Sequence, residues 1–296
     1  MREYLLKFFN DFEYEKSDAD YLLSIYDKIS KNPDALTLFN RGIDEYASNI
    51  NADFSKIIED SKTVSTLILE HEYTVNLLTL LCMTKHLQKH YKEKNYPYEL
   101  YYESALDLKY KLDECKVVKG KVGTFVPNWF SRLFAMTLFA LGRLQFEIKL
   151  FGKEYSKNGV TLTPESEVLN VHIPRSKKPL TEDVCLQSFN MAREFFKTRF
   201  GENPAFVCHS WLLYPETLKL YKETSNTYKF AKLFNVIETG IRTHDEDLWR
   251  LFDTDEKNPD RLPNDTSIRR AFISHLKTGG RTGWAYGVFF FSELSY

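Results

Sequence analysis

Residues 168–214 constrain the fold more than any other part of this chain, because they read in succession as strand, basic loop, helix and strand. In Val168-Leu169-Asn170-Val171-His172-Ile173, three apolar side chains fall on one face and Asn170 and His172 on the other. That alternation is the mark of a half-buried strand. Pro174 ends it, and Arg175-Ser176-Lys177-Lys178-Pro179 forms a turn. Thr181 is placed to cap the next helix, with Glu182 and Asp183 complementing its positive end. Val184, Leu186, Phe189, Met191, Phe195 and Phe196 give that helix an apolar stripe wide enough to cover a sheet. Gly201 and Pro204 lead into a second strand, 205–213, with Cys208, His209 and Ser210 at its middle. A strand–helix–strand unit makes two parallel strands with a right-handed crossover. Ligands of such sheets sit at the carboxyl ends of the strands, where His172 and the basic loop lie.

The chain before this unit is mostly helical to about residue 120. Asn32-Pro33 is a helix start, and a long apolar run over 62–92 reads as the central helix of a bundle. His86 and His90 stand one turn apart on it, without a third ligand at a supporting spacing. Another helix is expected over 98–115. The glycines and lysines of 116–123 mark the domain boundary, giving a helical domain, 1–120, and a second domain, 121–296. A helix is predicted over 128–141 and closed by Gly142. A strand follows in which Arg143, Gln145, Glu147 and Lys149 alternate with apolar residues. Beyond the central unit the pattern predicts a short helix over 215–221, an ambiguous segment over 228–241 and a helix over 245–252. A capped helix from Asp265 or Thr266 to Lys277 and a buried final strand, 284–291, complete the chain.

Composition narrows the function classes. The formal net charge of −1 over 296 residues gives no pull toward nucleic acid or anionic membranes. Four scattered cysteines (Cys82, Cys115, Cys185, Cys208) show no metal-ligand spacing and read as reduced thiols. The first residues are too charged for a signal peptide, and the longest apolar block, 133–141, is far short of a bilayer span. The expected location is the cytoplasm.

The second half resembles the GNAT acyltransferase fold, an α+β mixed sheet flanked by helices. In that fold a parallel pair of strands splays to admit acyl-coenzyme A. More narrowly, it is similar to a bacterial group with a helical N-terminal domain and a divergent GNAT-like C-terminal domain. The resemblance is carried by 141–147 (LGRLQFE), 169–174 (LNVHIP), 206–213 (FVCHSWLL), Ser225-Asn226 and 262–267 (LPNDTS). It implies transfer of an acyl group from acyl-coenzyme A, acetyl-coenzyme A included, or from a thioester on an acyl carrier protein. The acceptor would be a small-molecule or peptide amine, with no metal. It also implies a phosphate site in the loop after the first splayed strand, at Ile173, Arg175, Ser176, Lys177 and Lys178. That loop has no glycine, so side-chain charges would take the place of closely approaching amides.

Acyl transfer to an amine needs a base for the ammonium proton and an acid for the departing thiolate. His172 and His209 lie on the two neighbouring strands and are the candidate bases, with Asn170, Ser210 and Glu147 as substrate-binding neighbours. Tyr221 resembles in position the tyrosine that protonates the thiolate in GNAT enzymes. Cys208 points away from His209, as strand neighbours do, and reads as a buried thiol; His244 with Asp245 and Asp247 reads as a charged loop. The rival reading is a non-catalytic protein that binds a small molecule or a partner on a degenerate GNAT fold.

Overall fold

The computed structural model describes all residues except 158, 177, 244–246 and 292–296. It divides into two compact units, Met1–Phe139 and Ala140–Tyr296.

The first unit is helical: α1 (Arg2–Asp11), α2 (Lys16–Ser30), α3 (Pro33–Ser48), α4 (Phe54–Leu67), α5 (Glu72–Glu93), α6 (Tyr98–Lys119) and the short α7 (Ser131–Phe134). The Asn32 side chain accepts from the Ala35 N–H and starts α3, with Pro33 in its first turn. The apolar run over 62–92 is two helices rather than one. It breaks at Leu69, which is left-handed (φ 53°) and exposed, and His71 then caps α5 through Nδ1 to the Tyr73 N–H. Only α5 is buried on nearly every side. Residues 116–123 fall within this unit. Gly120 closes α6 in the left-handed conformation, and Thr124 donates its N–H to the Tyr73 carbonyl. A Cβ on Gly123 would lie 2.4 Å from the Tyr73 backbone, so glycine allows this close approach.

The second unit is built on a six-stranded sheet, in the order β1-β2-β5-β6-β8-β7. Its strands are β1 (Leu138–Leu141), β2 (Leu144–Leu150), β5 (Glu167–His172), β6 (Ala205–Ser210), β7 (Asn235–Ile241) and β8 (Gly283–Phe290); β3 (Tyr155–Lys157) and β4 (Val160–Leu162) form a separate antiparallel hairpin. The helix predicted over 128–141 ends at Phe134. Residues 138–141 are a fully buried strand, and the Gly142-Arg143 turn joins it to β2. A four-residue apolar run fits a buried strand as well as a helix, and here the sheet decides. The remaining helices are α8 (Glu182–Phe200), α9 (Pro215–Leu218), α10 (Asn226–Lys232), α11 (Leu248–Phe252) and α12 (Ser267–Lys277). The ambiguous 228–241 segment is both things in turn, α10 followed by β7.

Helix α8 covers one face of the sheet. Phe189 is fully buried there against Phe146, Phe206 and Phe289, at centroid distances of 5.8, 4.8 and 4.9 Å. The other face carries Val168, Val207, Tyr286, Val288 and Phe290 beside Phe151 and Tyr155. The polar residues of β2 and β5 open onto this second face, because they alternate with the apolar residues under α8.

Candidate active site

The central parallel pair is joined over a short length only. β5 and β6 register at Leu169↔Phe206 and Asn170↔Val207. Beyond that point each strand stays with its other neighbour. β5 follows β2 to His172↔Gln145, and β6 follows β8 to Ser210↔Ala285. The sheet therefore parts into two wings after Asn170 and Val207, and the gap opens at the carboxyl ends of β5 and β6.

On the β5 side of the gap, antiparallel register sets Glu147 opposite Asn170 and Gln145 opposite His172. All four project from one face. His172 Nε2 lies 2.7 Å from Glu147 Oε2, and Asn170 Nδ2 donates to the same oxygen at 3.1 Å. The Asn170 amide is also 3.0 Å from His172 Nε2. Glu147 thus orients the imidazole from its Nε2 side. Asn170 Oδ1 and Gln145 Oε1 are buried acceptors with no hydrogen-bond partner among the described residues.

On the β6 side, the Asn170↔Val207 pairing fixes the parity. His209, two residues beyond Val207, is on the same face as His172. Its ring packs 4.5 Å from Trp284 and 6.2 Å from Tyr286. Partial burial, then the positive charges of Arg242 and Lys149, hold its imidazole below the ordinary value, so it is neutral at pH 7. Cys208 alternates to the opposite face, and burial pushes its thiol up to about 12. It is an inert core thiol.

The other predicted residues are placed as follows. Ser210 Oγ accepts from the Leu212 N–H and caps the turn after β6. Tyr221 packs edge-on against Phe272, 6.0 Å away, in a small cluster with Leu248, Phe252 and Leu262. Burial raises its phenol, which keeps its proton. Ile173 follows β5 directly, and Arg175 is ion-paired with Asp253 at 2.6 Å. The Ser176 N–H donates to the Pro174 carbonyl, and the Lys178 carbonyl accepts from Arg143. Lys177, His244 and Asp245 lie outside the described residues. His90, by contrast, contacts Glu93 and the Tyr46 carbonyl. Among the described residues, no group of three or more His, Cys, Asp or Glu side chains is gathered to hold a metal ion. Likewise, no helix is long and apolar enough to cross a membrane. Two residues that matter here, Gln145 and Arg143, were legible only as polar members of an alternating strand. Their roles depend on what the register and the turn bring beside them.

A mixed six-stranded sheet that parts between two parallel strands is an acyltransferase-type architecture. Family comparison makes this specific: residues 3–136 match the N-acyltransferase N-terminal domain and residues 138–289 the GNAT-like C-terminal domain. The chain belongs to this GNAT-like family of N-acyltransferases. No curated protein matches it significantly in sequence. Among solved structures it is similar to a point variant of an acyltransferase in complex with octanoyl-CoA (TM-score 0.77, 20% identity, 97% of this chain and 87% of that one). It is also similar to an acyltransferase in complex with decanoyl-CoA and teicoplanin (TM-score 0.76, 20% identity, 96% and 86%).

Proposed function

We propose that this protein transfers an acyl group from acyl-coenzyme A to an amine, with the thioester entering the gap between β5 and β6. The observation that carries this reading is the parting of β5 and β6 after Asn170 and Val207, while both strands keep their outer partners. Strand edges exposed in this way offer backbone amides and carbonyls to a thioester and its developing oxyanion.

In the proposed reaction His172, oriented by Glu147, takes the ammonium proton of the acceptor. The free amine then attacks the thioester carbon; as the tetrahedral adduct collapses its nitrogen gives its extra proton to His209, the C–S bond breaks, and the thiolate leaves with the proton of Tyr221. His209, neutral on the facing wing, is the second proposed base, and Tyr221, kept protonated by burial, the proposed acid for the thiolate. Asn170, Gln145 and Ser210 line the acceptor side in this reading. The solved structures of similar fold hold octanoyl- and decanoyl-coenzyme A and a glycopeptide, teicoplanin. They favour a medium-chain acyl group and a small-molecule amine acceptor over acetyl transfer or a carrier-protein donor.

The test is the rise in melting temperature with acetyl-, octanoyl-, decanoyl- and free coenzyme A, because a ligand of the native state must raise it. A rise that grows with the acyl chain supports the reading. A folded protein that responds to none of the four sinks it, and favours a carrier-bound donor or a non-catalytic role.

A further inference from the structure

Arg143 sits in the turn between β1 and β2 with 7% of its surface exposed. Its backbone N–H donates to Ser188 Oγ on α8 at 2.7 Å. Its side chain reaches the other way: Nε donates to the Lys178 carbonyl at 2.8 Å and Nη1 to the Pro174 carbonyl at 3.0 Å. One residue thus joins the end of β5, the far end of the basic loop and the helix that follows it. Gly142 makes this possible. It is left-handed (φ 74°), and a Cβ there would lie 2.7 Å from Ser188 Oγ.

The described residues of the basic loop from Pro174 to Pro179 lie outside helix and strand, none is glycine, and among them the Ser176 N–H donates to the Pro174 carbonyl. A planar guanidinium with two donors in fixed relation suits two carbonyls four positions apart, and a lysine would reach only one of them well. On its outer side the loop is tied by the exposed pair Arg175–Asp253. The buried fork of Arg143 is the inner tether.

We infer that Arg143 is a positioning residue for the diphosphate of acyl-coenzyme A. It holds Pro174 and Lys178, on either side of the loop's middle, in one relation, so that Arg175 and Lys178 meet the phosphates in one arrangement. This rests on the reading that the protein binds acyl-coenzyme A. Arg143 touches neither the thioester nor the amine in this scheme, so its loss acts on coenzyme A affinity rather than on the chemical step.

The test uses full-length Arg143→Met and Arg143→Lys. Amide hydrogen exchange over 174–180 is measured without ligand, and calorimetry measures the affinity for coenzyme A itself. Steady-state kinetics separate KM for acyl-coenzyme A, KM for the amine and kcat. For Arg143→Met, exchange in the loop speeds up while β2 and β5 keep their protection. Kd for coenzyme A rises about tenfold or more, kcat at saturating donor stays within about threefold, and the amine KM holds. Arg143→Lys, which keeps one carbonyl contact, falls between, and it carries the test if the Met variant does not fold. Faster loop exchange with unchanged coenzyme A affinity overturns the positioning role, as does a fall in kcat without one in affinity. A wild-type protein that binds no coenzyme A overturns the acyl-coenzyme A reading and this inference with it, whereas unaltered binding by the variants overturns this inference alone.

Discussion

Replacing Glu147 by glutamine removes one negative charge and little else, which makes it the sharpest probe of the site. In the wild type, Oε2 is 2.7 Å from His172 Nε2, and the two side chains are 17% and 19% exposed. Solvent screening is therefore modest. A hydrogen bond to a charged group is worth about 1.5–3 kcal/mol, and each ~1.4 kcal/mol is a factor of ten. If the carboxylate stabilises the imidazolium formed as the amine is deprotonated, kcat/KM should fall by roughly 10- to 150-fold. The pH profile should move as well. Without the carboxylate the imidazolium is less favoured, so His172 stays neutral to lower pH and the acidic limb of kcat/KM shifts downward. The fold should be spared, since glutamine keeps the shape and can still accept from Asn170. The assay is release of free coenzyme A thiol at several pH values, beside His172→Gln, which removes the base and should cost ~10²–10⁴-fold. A Glu147→Gln enzyme within twofold of wild type, with its acidic limb unmoved, would refute the pairing as part of the chemistry.

Phe189→Ala should cost ~3–5 kcal/mol of stability, because its fully buried ring touches Phe146, Phe206 and Phe289 at once; chemical denaturation measures it, and a loss under 1 kcal/mol would contradict the packing. All four cysteines are buried thiols outside any disulfide, and burial pushes Cys185 up to about 11 and Cys208 to about 12. A thiol reagent should therefore label none of them in the native protein and four after unfolding; rapid native labelling of Cys208 would count against its placement. His209 is held below its unfolded value, so the unfolded chain binds its proton first. Its contribution to stability is complete above about pH 6.5 and declines as pH falls through that value. His209→Gln should flatten that part of the stability–pH curve, and an unchanged curve would count against the shift.

Local pattern carried far in this chain. The alternation over 168–173, the stripe from Val184 to Phe196 and the second strand beginning at Ala205 are each fixed by neighbours a few residues apart. Side-chain period alone separates strand from helix at that range. The Asn32 and Thr266 caps were legible for the same reason, because a short polar side chain meets an amide three residues on. The resemblance to the acyltransferase fold stood on such segments, and the family match bears it out. Short apolar runs were where pattern failed. Residues 138–141 suit helix or strand equally, and the run over 62–92 hides a break at Leu69 that no period reveals.

What only the tertiary structure decided is which distant residues meet. Glu147 and His172 are twenty-five positions apart and touch because the β2–β5 register places Glu147 opposite Asn170. A slip of one residue between the two strands would send Glu147 to the opposite face from His172. Arg143 read as one more polar residue of an alternating strand, and became a buried clamp because a left-handed glycine turns the chain onto α8. The parting of β5 from β6 belongs to neither strand alone, since it arises where each continues with a different outer partner. The sequence by itself determined the elements and the faces they bury, because those follow from contacts along the chain. The gap and the groups around it were settled by pairing across the sheet, which no local period encodes.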